Sequence, residues 1–207
     1  MDRPQQLKSA IQSVIAKLMD GVLENVLKRN PFDELRHRSE RPLYAALVPD
    51  EIFKGSHFER RFVTPFGGVW EQLAAIAAQT GLGYATTKHR ITGMVKAERL
   101  QRIQQVLDRL EHPSPGGRRI KPDWDAELAY ILEGGGEDVQ TTVVCDVYAE
   151  DTRTELRQKY AFEVKAPLPD SDQTKVSKEK LLKLQSMNPL AVDGVYFALP
   201  YNPYGVR

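Results

Sequence analysis

The sequence predicts an α/β fold, in which helices flank a central sheet and a helical region precedes it. Three segments rich in β-branched and aromatic residues, 143–149, 160–166 and 191–199, are typical of strands. A helix-like segment at 175–187 separates the second strand from the third. In the first half of the chain, apolar residues recur mostly at helical spacing. With 207 residues, the chain has room for one substantial domain, or for one domain with a helical extension.

The first half of the chain is expected to form three helices joined by irregular segments. A helix at 5–29 carries an apolar stripe, which packs on the rest of the domain or pairs with a second copy of the chain. Residues 32–61 look irregular, and their basic cluster is either a solvated loop or a contact for phosphate groups. The other predicted features are a turn at 64–68, a helix at 69–80, a loop or short hairpin at 81–92, a helix at 93–111 and a linker at 112–117.

The second half of the chain is expected to form the core. Residues 118–207 would make up this core, with the helical region 1–112 packed on it, in what we expect to be one continuous domain. A short helix is predicted at 123–133, with a strand at 127–132 as the alternative. The segment 150–158 reads as the polar turn that joins the first two strands.

Composition excludes several classes of protein. The formal net charge is +1, which argues against a strongly basic coat but allows local basic patches. There is one cysteine, so no internal disulfide forms, and no Cys/His cluster has zinc spacing. Because no apolar run reaches membrane length and no signal-peptide pattern begins the chain, we expect a cytoplasmic protein.

Charged residues in the strands indicate chemistry. Asp146 interrupts an apolar run, where an unpaired carboxylate would be costly. Glu163 and Lys165 are two residues apart on the next strand and point the same way. A solvent-facing strand would also explain this pair. However, an Asp on one strand, Glu-x-Lys on the next and then a basic helix form the PD-(D/E)XK nuclease pattern, which implies a mixed central sheet flanked by helices.

That pattern assigns roles to individual residues. Asp146 and Glu163 would bind one or two Mg²⁺ ions, with the carbonyl of Val164 as a further oxygen ligand. Lys165 would orient the attacking water or place positive charge at the phosphate. Asp123, in a Pro-Asp pair 40 residues before Glu163, is the alternative first acid. We prefer Asp146 because it lies on a predicted strand, whereas Asp123 lies at the cap of a predicted helix.

Longer runs extend the resemblance. Residues 162–169, Phe-Glu-Val-Lys-Ala-Pro-Leu-Pro, and residues 172–182, Asp-Gln-Thr-Lys-Val-Ser-Lys-Glu-Lys-Leu-Leu, are similar to the TdeIII-type type II restriction endonucleases. Shorter matches at 58–64, 70–71, 122–124 and 196–204 spread the similarity over most of the chain. The resemblance implies a homodimeric, Mg²⁺-dependent enzyme that cuts double-stranded DNA at short specific sites. It also implies a cognate DNA methyltransferase in the same restriction-modification system.

The resemblance implies further site residues. Glu71, on a preceding helix, is the candidate for an additional metal ligand. The basic helix is expected either to contact the DNA backbone and base edges or to remain solvated, and its candidate residues are Gln173, Lys175, Lys178 and Lys180. Two alternatives remain open: another PD-(D/E)XK nuclease for repair or junction cleavage, and a truncated or inactive DNA-binding relative. Because family members continue beyond the Tyr-Asn-Pro-Tyr loop at 201–204, we expect a shortened member with weak or no activity.

Overall fold

The computed structural model describes residues 3–112, 120–202 and 205. The chain divides into two compact units, Met1–Leu73 and Ala74–Arg207. No helix in the described part of the chain is long and apolar enough to cross a membrane. The predicted linker lies outside the described residues beyond His112, as does the second half of the 201–204 loop.

The first unit is helical. The predicted first helix is confirmed as α1, which continues into a short π-helical segment. Leu18 and Val22 of α1 pack against Val69 of α4, so part of the apolar stripe is covered within the unit itself. The segment predicted to be irregular instead contains two short helices and the start of a long one. The elements are α1 (Arg3–Glu24), the π-helical segment (Asn25–Arg29), α2 (Glu34–Glu40), α3 (Pro42–Leu47) and α4 (Asp50–Leu82).

The predicted turn at 64–68 is wrong, because α4 runs through Pro65 without interruption. A proline costs an interior helix one backbone hydrogen bond, and the loss must be offset. Phe58, Phe62, Phe66 and Trp70 recur every four residues, and consecutive rings lie 4.9–5.7 Å apart. Side chains at this spacing stabilise a helix by contact along one face. The aromatic row therefore favours a continuous helix where proline and glycine alone predicted a turn.

The second unit contains a mixed sheet of four strands, which lie in the order β1 (Gly83–Lys96), β2 (Asp138–Asp151), β3 (Lys159–Val164) and β4 (Gly194–Ala198). Strand β2 is antiparallel to both β1 and β3, whereas β4 is parallel to β3. Helix α7 (Ser171–Gln185) supplies the crossover that a parallel pair requires. The three predicted strands are confirmed as β2 (Asp138–Asp151), β3 (Lys159–Val164) and β4 (Gly194–Ala198).

The remaining edge strand, β1 (Gly83–Lys96), was not predicted as one continuous strand, since this segment was assigned to a loop or short hairpin and the start of a helix. Only Ile91 and Val95 of β1 are buried, so the strand lacks a regular apolar alternation. Its thirteen registered Cα pairs with β2 hold it in the sheet. Pairing with β2 therefore stabilises a strand that the polar local sequence of β1 does not predict.

Helices cover the sheet and position the candidate site. On α7, Leu184 packs with Ile91, Cys145 and Ala161 of the sheet. Leu182 of α7 also joins a second cluster with Ile103 and Ile131. Those two residues belong to α5 (Ala97–Glu111) and α6 (Trp124–Leu132), and the latter confirms the helix predicted at 123–133 over the alternative strand. The face of α7 that meets the sheet also brings polar residues to the end of β3.

Candidate active site

Asp146 lies within β2 and is 5% exposed. Its Oδ2 accepts hydrogen bonds from the Val164 backbone amide at 3.0 Å and from Lys165 Nζ at 2.8 Å. Its Oδ1 accepts one from Lys88 Nζ at 3.2 Å. A buried carboxylate needs such partners, because removing its charge from water is otherwise costly.

Glu163 lies on β3 and is fully buried. Lys180 Nζ, on α7, donates to its Oε1 at 3.0 Å and to its Oε2 at 2.9 Å. Ser177 and Lys165 lie 3.5 Å from Oε2. The predicted alternative of a solvent-facing strand is therefore wrong for Glu163, whose side chain points toward α7.

Lys165 connects the two carboxylates. Strand β3 ends at Val164, and the backbone amide of Lys165 donates to the carbonyl of Ala198 at 3.1 Å. This bond fixes the backbone from which the ammonium reaches Asp146, Glu163 and the Val164 carbonyl, the last at 3.2 Å. The structure thus brings together Asp146, Glu163, Val164 and Lys165, the four residues predicted around the two strands.

The sheet is distorted where Asp146 faces β1. Cys145 and Tyr148 would lie on opposite faces of a regular strand, yet both belong to one core cluster. Opposite Asp146, Lys88 has φ 53°, which is uncommon for a residue with a side chain. The register of β1 with β2 omits the Lys88–Asp146 pair. The pairs on either side, Thr87–Val147 and His89–Cys145, keep the same register, so the distortion is confined to this one position and adds no residue to either strand.

Sequence reasoning missed Lys88 as a site residue and assigned Lys180 a different role. Lys88 lies in a segment that was predicted to be a loop or short hairpin. Lys180 was predicted to contact DNA, and its ion pair with Glu163 depends on how α7 docks, which no spacing in the sequence reveals. A lysine at a polar position of a strand or a helix is too common to have indicated either contact.

The two carboxylates differ electrostatically. Burial alone raises the pKa of Asp146, but the hydrogen bond and charge of Lys165, with the Val164 amide, hold that pKa below its ordinary value. Burial raises the pKa of Glu163 above its ordinary value against the opposing effect of Lys180, and the nearby Asp146 charge adds to the rise. Glu163 is therefore a carboxylate that additional positive charge would stabilise in its ionised form.

The other acidic candidates lie elsewhere in the fold. Asp123 caps α6 and accepts a hydrogen bond from the Ala126 amide at 3.1 Å, which is the structural role expected of a helix cap. Glu71 lies in the part of α4 that belongs to the first unit, and its role as a metal ligand stays a prediction. Among residues 3–112 and 120–202, no group of three or more His, Cys, Asp or Glu side chains is arranged to hold a metal ion.

The candidate DNA-contacting residues all lie on α7 and have partners within the chain. Lys175 pairs with Glu111, Lys178 with Glu127 and Lys180 with Glu163. The side-chain amide of Gln173 donates a hydrogen bond at 3.0 Å to Asp170, the residue that caps the helix. A contact with phosphate would require these lysines to exchange one anionic partner for another, and it stays a prediction.

A mixed sheet with an Asp on one strand, Glu-x-Lys on the next and a covering helix has the arrangement of a restriction-endonuclease-like nuclease core. Residues 7–207 match the family model described as type II restriction endonuclease, HinfI. The chain belongs to this family, and membership implies a DNA endonuclease.

The comparison confirms the predicted class, type II restriction endonuclease. It does not confirm the TdeIII-type family, since the matching model is that of HinfI. Neither the curated proteins nor the solved structures that were compared with the chain include a significant match.

Proposed function

We propose that the chain hydrolyses phosphodiester bonds of double-stranded DNA at a short specific site, with Mg²⁺ as its cofactor. The observation that supports this most directly is the convergence of Asp146 and Glu163 on the Lys165 ammonium, at 2.8 and 3.5 Å. Two carboxylates beside a lysine are the groups that a metal-assisted phosphodiester hydrolysis requires.

The donor set fits Mg²⁺. Asp146, Glu163 and the Val164 carbonyl offer hard oxygen ligands, and all three lie beside the ammonium of Lys165. These groups would hold the ion, with Glu71 as a further candidate. When bound, Mg²⁺ supplies an acidified water and neutralises charge on the phosphate. The raised pKa of Glu163, caused first by its burial, is consistent with a carboxylate that a cation would stabilise.

The lysines have separate roles in this proposal. Lys88, Lys165 and Lys180 surround two carboxylates, so the cluster has an excess of positive charge that attracts the phosphodiester. Lys165 contacts both carboxylates and would orient the attacking water and stabilise negative charge on the phosphate oxygens. Lys88 and Lys180 each bond one carboxylate, so we assign them as positioning residues.

We further propose that the enzyme acts as a homodimer on a palindromic site. A two-fold pair of active sites can cut both strands at symmetrical positions. A cognate DNA methyltransferase would protect the host's own copies of the site, as the family resemblance implies.

The test is to incubate the protein with phage DNA and Mg²⁺ and to sequence the fragment ends. We expect discrete fragments that share one end sequence. A nuclease for repair or junctions would instead spare intact duplex, and an inactive DNA-binding relative would leave all DNA uncut.

Substitutions test the assignment of the site. Asp146→Asn and Glu163→Gln should abolish cleavage, whereas DNA binding should persist or tighten because negative charge near phosphate is removed. Asp123→Asn is the matched control, since asparagine also caps helices, and it should cut like the parent protein. Full cutting by Glu163→Gln would refute the site. Loss of cutting in Asp123→Asn alone would move the first acid to Asp123.

A further inference from the structure

A concave pocket lies within the first unit and is formed by the end of the π-helical segment, α2 and one face of α4. Its volume is about 580 Å³, a size that suits a small organic ligand. Five arginines line it: Arg29, Arg36, Arg41, Arg60 and Arg61. We call it the arginine pocket. Part of the basic cluster that was predicted at 36–41 contributes to it, and none of its residues belongs to the carboxylate site.

The charge of the arginine pocket favours an anion. Arg29 pairs with Glu24, and Arg36 pairs with Glu40. Arg41 and Arg60 have no carboxylate partner within the described parts of the chain. The other acid that lines the pocket, Asp33, accepts the amide of Arg36 as the cap of α2.

A third guanidinium is held in place by a histidine. The guanidinium of Arg61 contacts His57 Nδ1 at 3.0 Å, and His57 Nε2 lies 2.9 Å from the carbonyl of Asn30. This arrangement presents Arg61 from a half-buried position beside Arg41 and Arg60, which are exposed. Guanidinium groups bind phosphate with two parallel hydrogen bonds, so a cavity lined by three of them suits a phosphate group.

The floor of the pocket is aromatic. Phe32 lies 5.6 Å from His37 and 5.5 Å from His57, and Phe53 lies 4.1 Å from His37, measured between ring centroids. His37 Nε2 is buried and has no hydrogen-bond partner among the described residues. The imidazole thus packs within the aromatic cluster and forms part of the floor. A planar ring would stack on this aromatic surface.

We propose that the arginine pocket binds a nucleotide unit of DNA, with the phosphate on Arg41, Arg60 and Arg61 and the base against the aromatic floor. The inference rests on the proposed DNA substrate and adds to it a second contact in the N-terminal unit. A free nucleotide has the same chemistry, so the experiment must separate the two sources. Because much of the affinity for DNA comes from phosphate contacts, removing arginines from the pocket should weaken the salt dependence of DNA binding.

The experiment uses the full chain without divalent metal, so that binding is measured whether or not the protein cuts. The affinity for a short mixed-sequence duplex is measured against salt concentration for Arg41→Ala/Arg60→Ala and for Lys28→Ala. Lys28 is the matched control, because it is an exposed cation in the π-helical segment but does not line the pocket. The double variant should lower the log–log salt slope by roughly two, one for each lost contact. The Lys28→Ala variant should leave the slope unchanged.

A second arm tests the floor and the source of the ligand. A nucleoside monophosphate should bind the parent protein more tightly than inorganic phosphate does, and His37→Ala should remove that difference. If the salt slope of the duplex is the same in the double variant and in the parent, the DNA assignment is overturned, even if the monophosphate binds. A fall in the slope of Lys28→Ala that is half the fall in the double variant would overturn it too, since the effect would then follow the number of charges removed and not the pocket. Arg41→Lys/Arg60→Lys, which preserves charge, separates loss of a contact from loss of folding.

Discussion

The ion pair between Lys180 and Glu163 gives a quantitative test of how the site is built. Glu163 is fully buried, and Lys180 donates to both of its oxygens. Removing one partner of a buried pair costs about 3–5 kcal/mol, because the other charge is left without compensation. The Lys180 side chain is 30% exposed, and Lys165 still lies 3.5 Å from Glu163. Both features reduce the cost, so we expect Lys180→Ala to lower the free energy of unfolding by about 2 kcal/mol.

A double-mutant cycle isolates this interaction from the packing of the lysine stem. Glu163→Gln keeps the shape of the side chain and removes its charge, so the same Lys180→Ala change should then cost less than about 1 kcal/mol. The coupling between the two positions should therefore be about 1–2 kcal/mol. The assay is urea unfolding of the full chain, followed by a probe of the second unit such as the fluorescence of Trp124.

The refuting result is a coupling below about 0.5 kcal/mol, the value typical of independent positions. Lys180 would then be a solvated lysine, and its contact in the structure would have no energetic meaning. The original expectation for Lys180, contact with DNA phosphate, predicts something different. In that case Lys180→Ala would lower the salt slope of DNA binding by about one, in the Glu163→Gln background as well.

Three further predictions concern other features of the chain. Lys88→Ala and Lys88→Gly should reduce cleavage equally, because both remove the hydrogen bond to Asp146. The glycine variant should be more stable than the alanine variant by about 1 kcal/mol, because glycine accepts φ 53° without strain. Equal free energies of unfolding for the two variants would contradict this. Burial raises the pKa of the Cys145 thiol to about 11. At a pH of about 8.5 the native protein should therefore resist iodoacetamide and react only on unfolding, which mass spectrometry detects. Rapid labelling of the native protein would contradict the burial of this thiol. Sedimentation should detect a dimer on DNA that contains the cleavage site, and a monomer on that DNA would contradict the proposed homodimer.

The strands of the candidate site could be found from sequence because their signal is local. Asp146 interrupts an apolar run, and Glu163 and Lys165 follow on a strand with β-branched and aromatic residues. Prolines at 167 and 169 end that strand sharply. Alternation, chain breaks and a costly buried acid are properties of neighbouring residues, so the four predicted residues Asp146, Glu163, Val164 and Lys165 emerged without tertiary information.

The long helix α4 and the strand β1 could not be found in the same way. In α4 the aromatic row and the packing of Phe66 and Val69 on α1 together offset a proline and two glycines, and helix propensity includes neither contribution. In β1 the residues around Lys88 are polar, and the strand exists because β2 offers it a full row of backbone partners. The helix at 123–133, by contrast, was predicted from the sequence, and Ile131 of this helix packs with α5 and α7.

The sequence by itself determined the α/β class, the strands β2, β3 and β4 and the carboxylate–lysine motif, because each depends on residues close together in the chain. The tertiary structure decided the rest of the site. Lys88 and Lys180 reach Asp146 and Glu163 across 58 and 17 residues of chain, through the docking of β1 and α7 on the sheet. Those contacts depend on the distortion opposite Asp146 and on which face of α7 meets the core. Neither is encoded in a local pattern, because many sequences with the same spacing would place these ammonium groups in water.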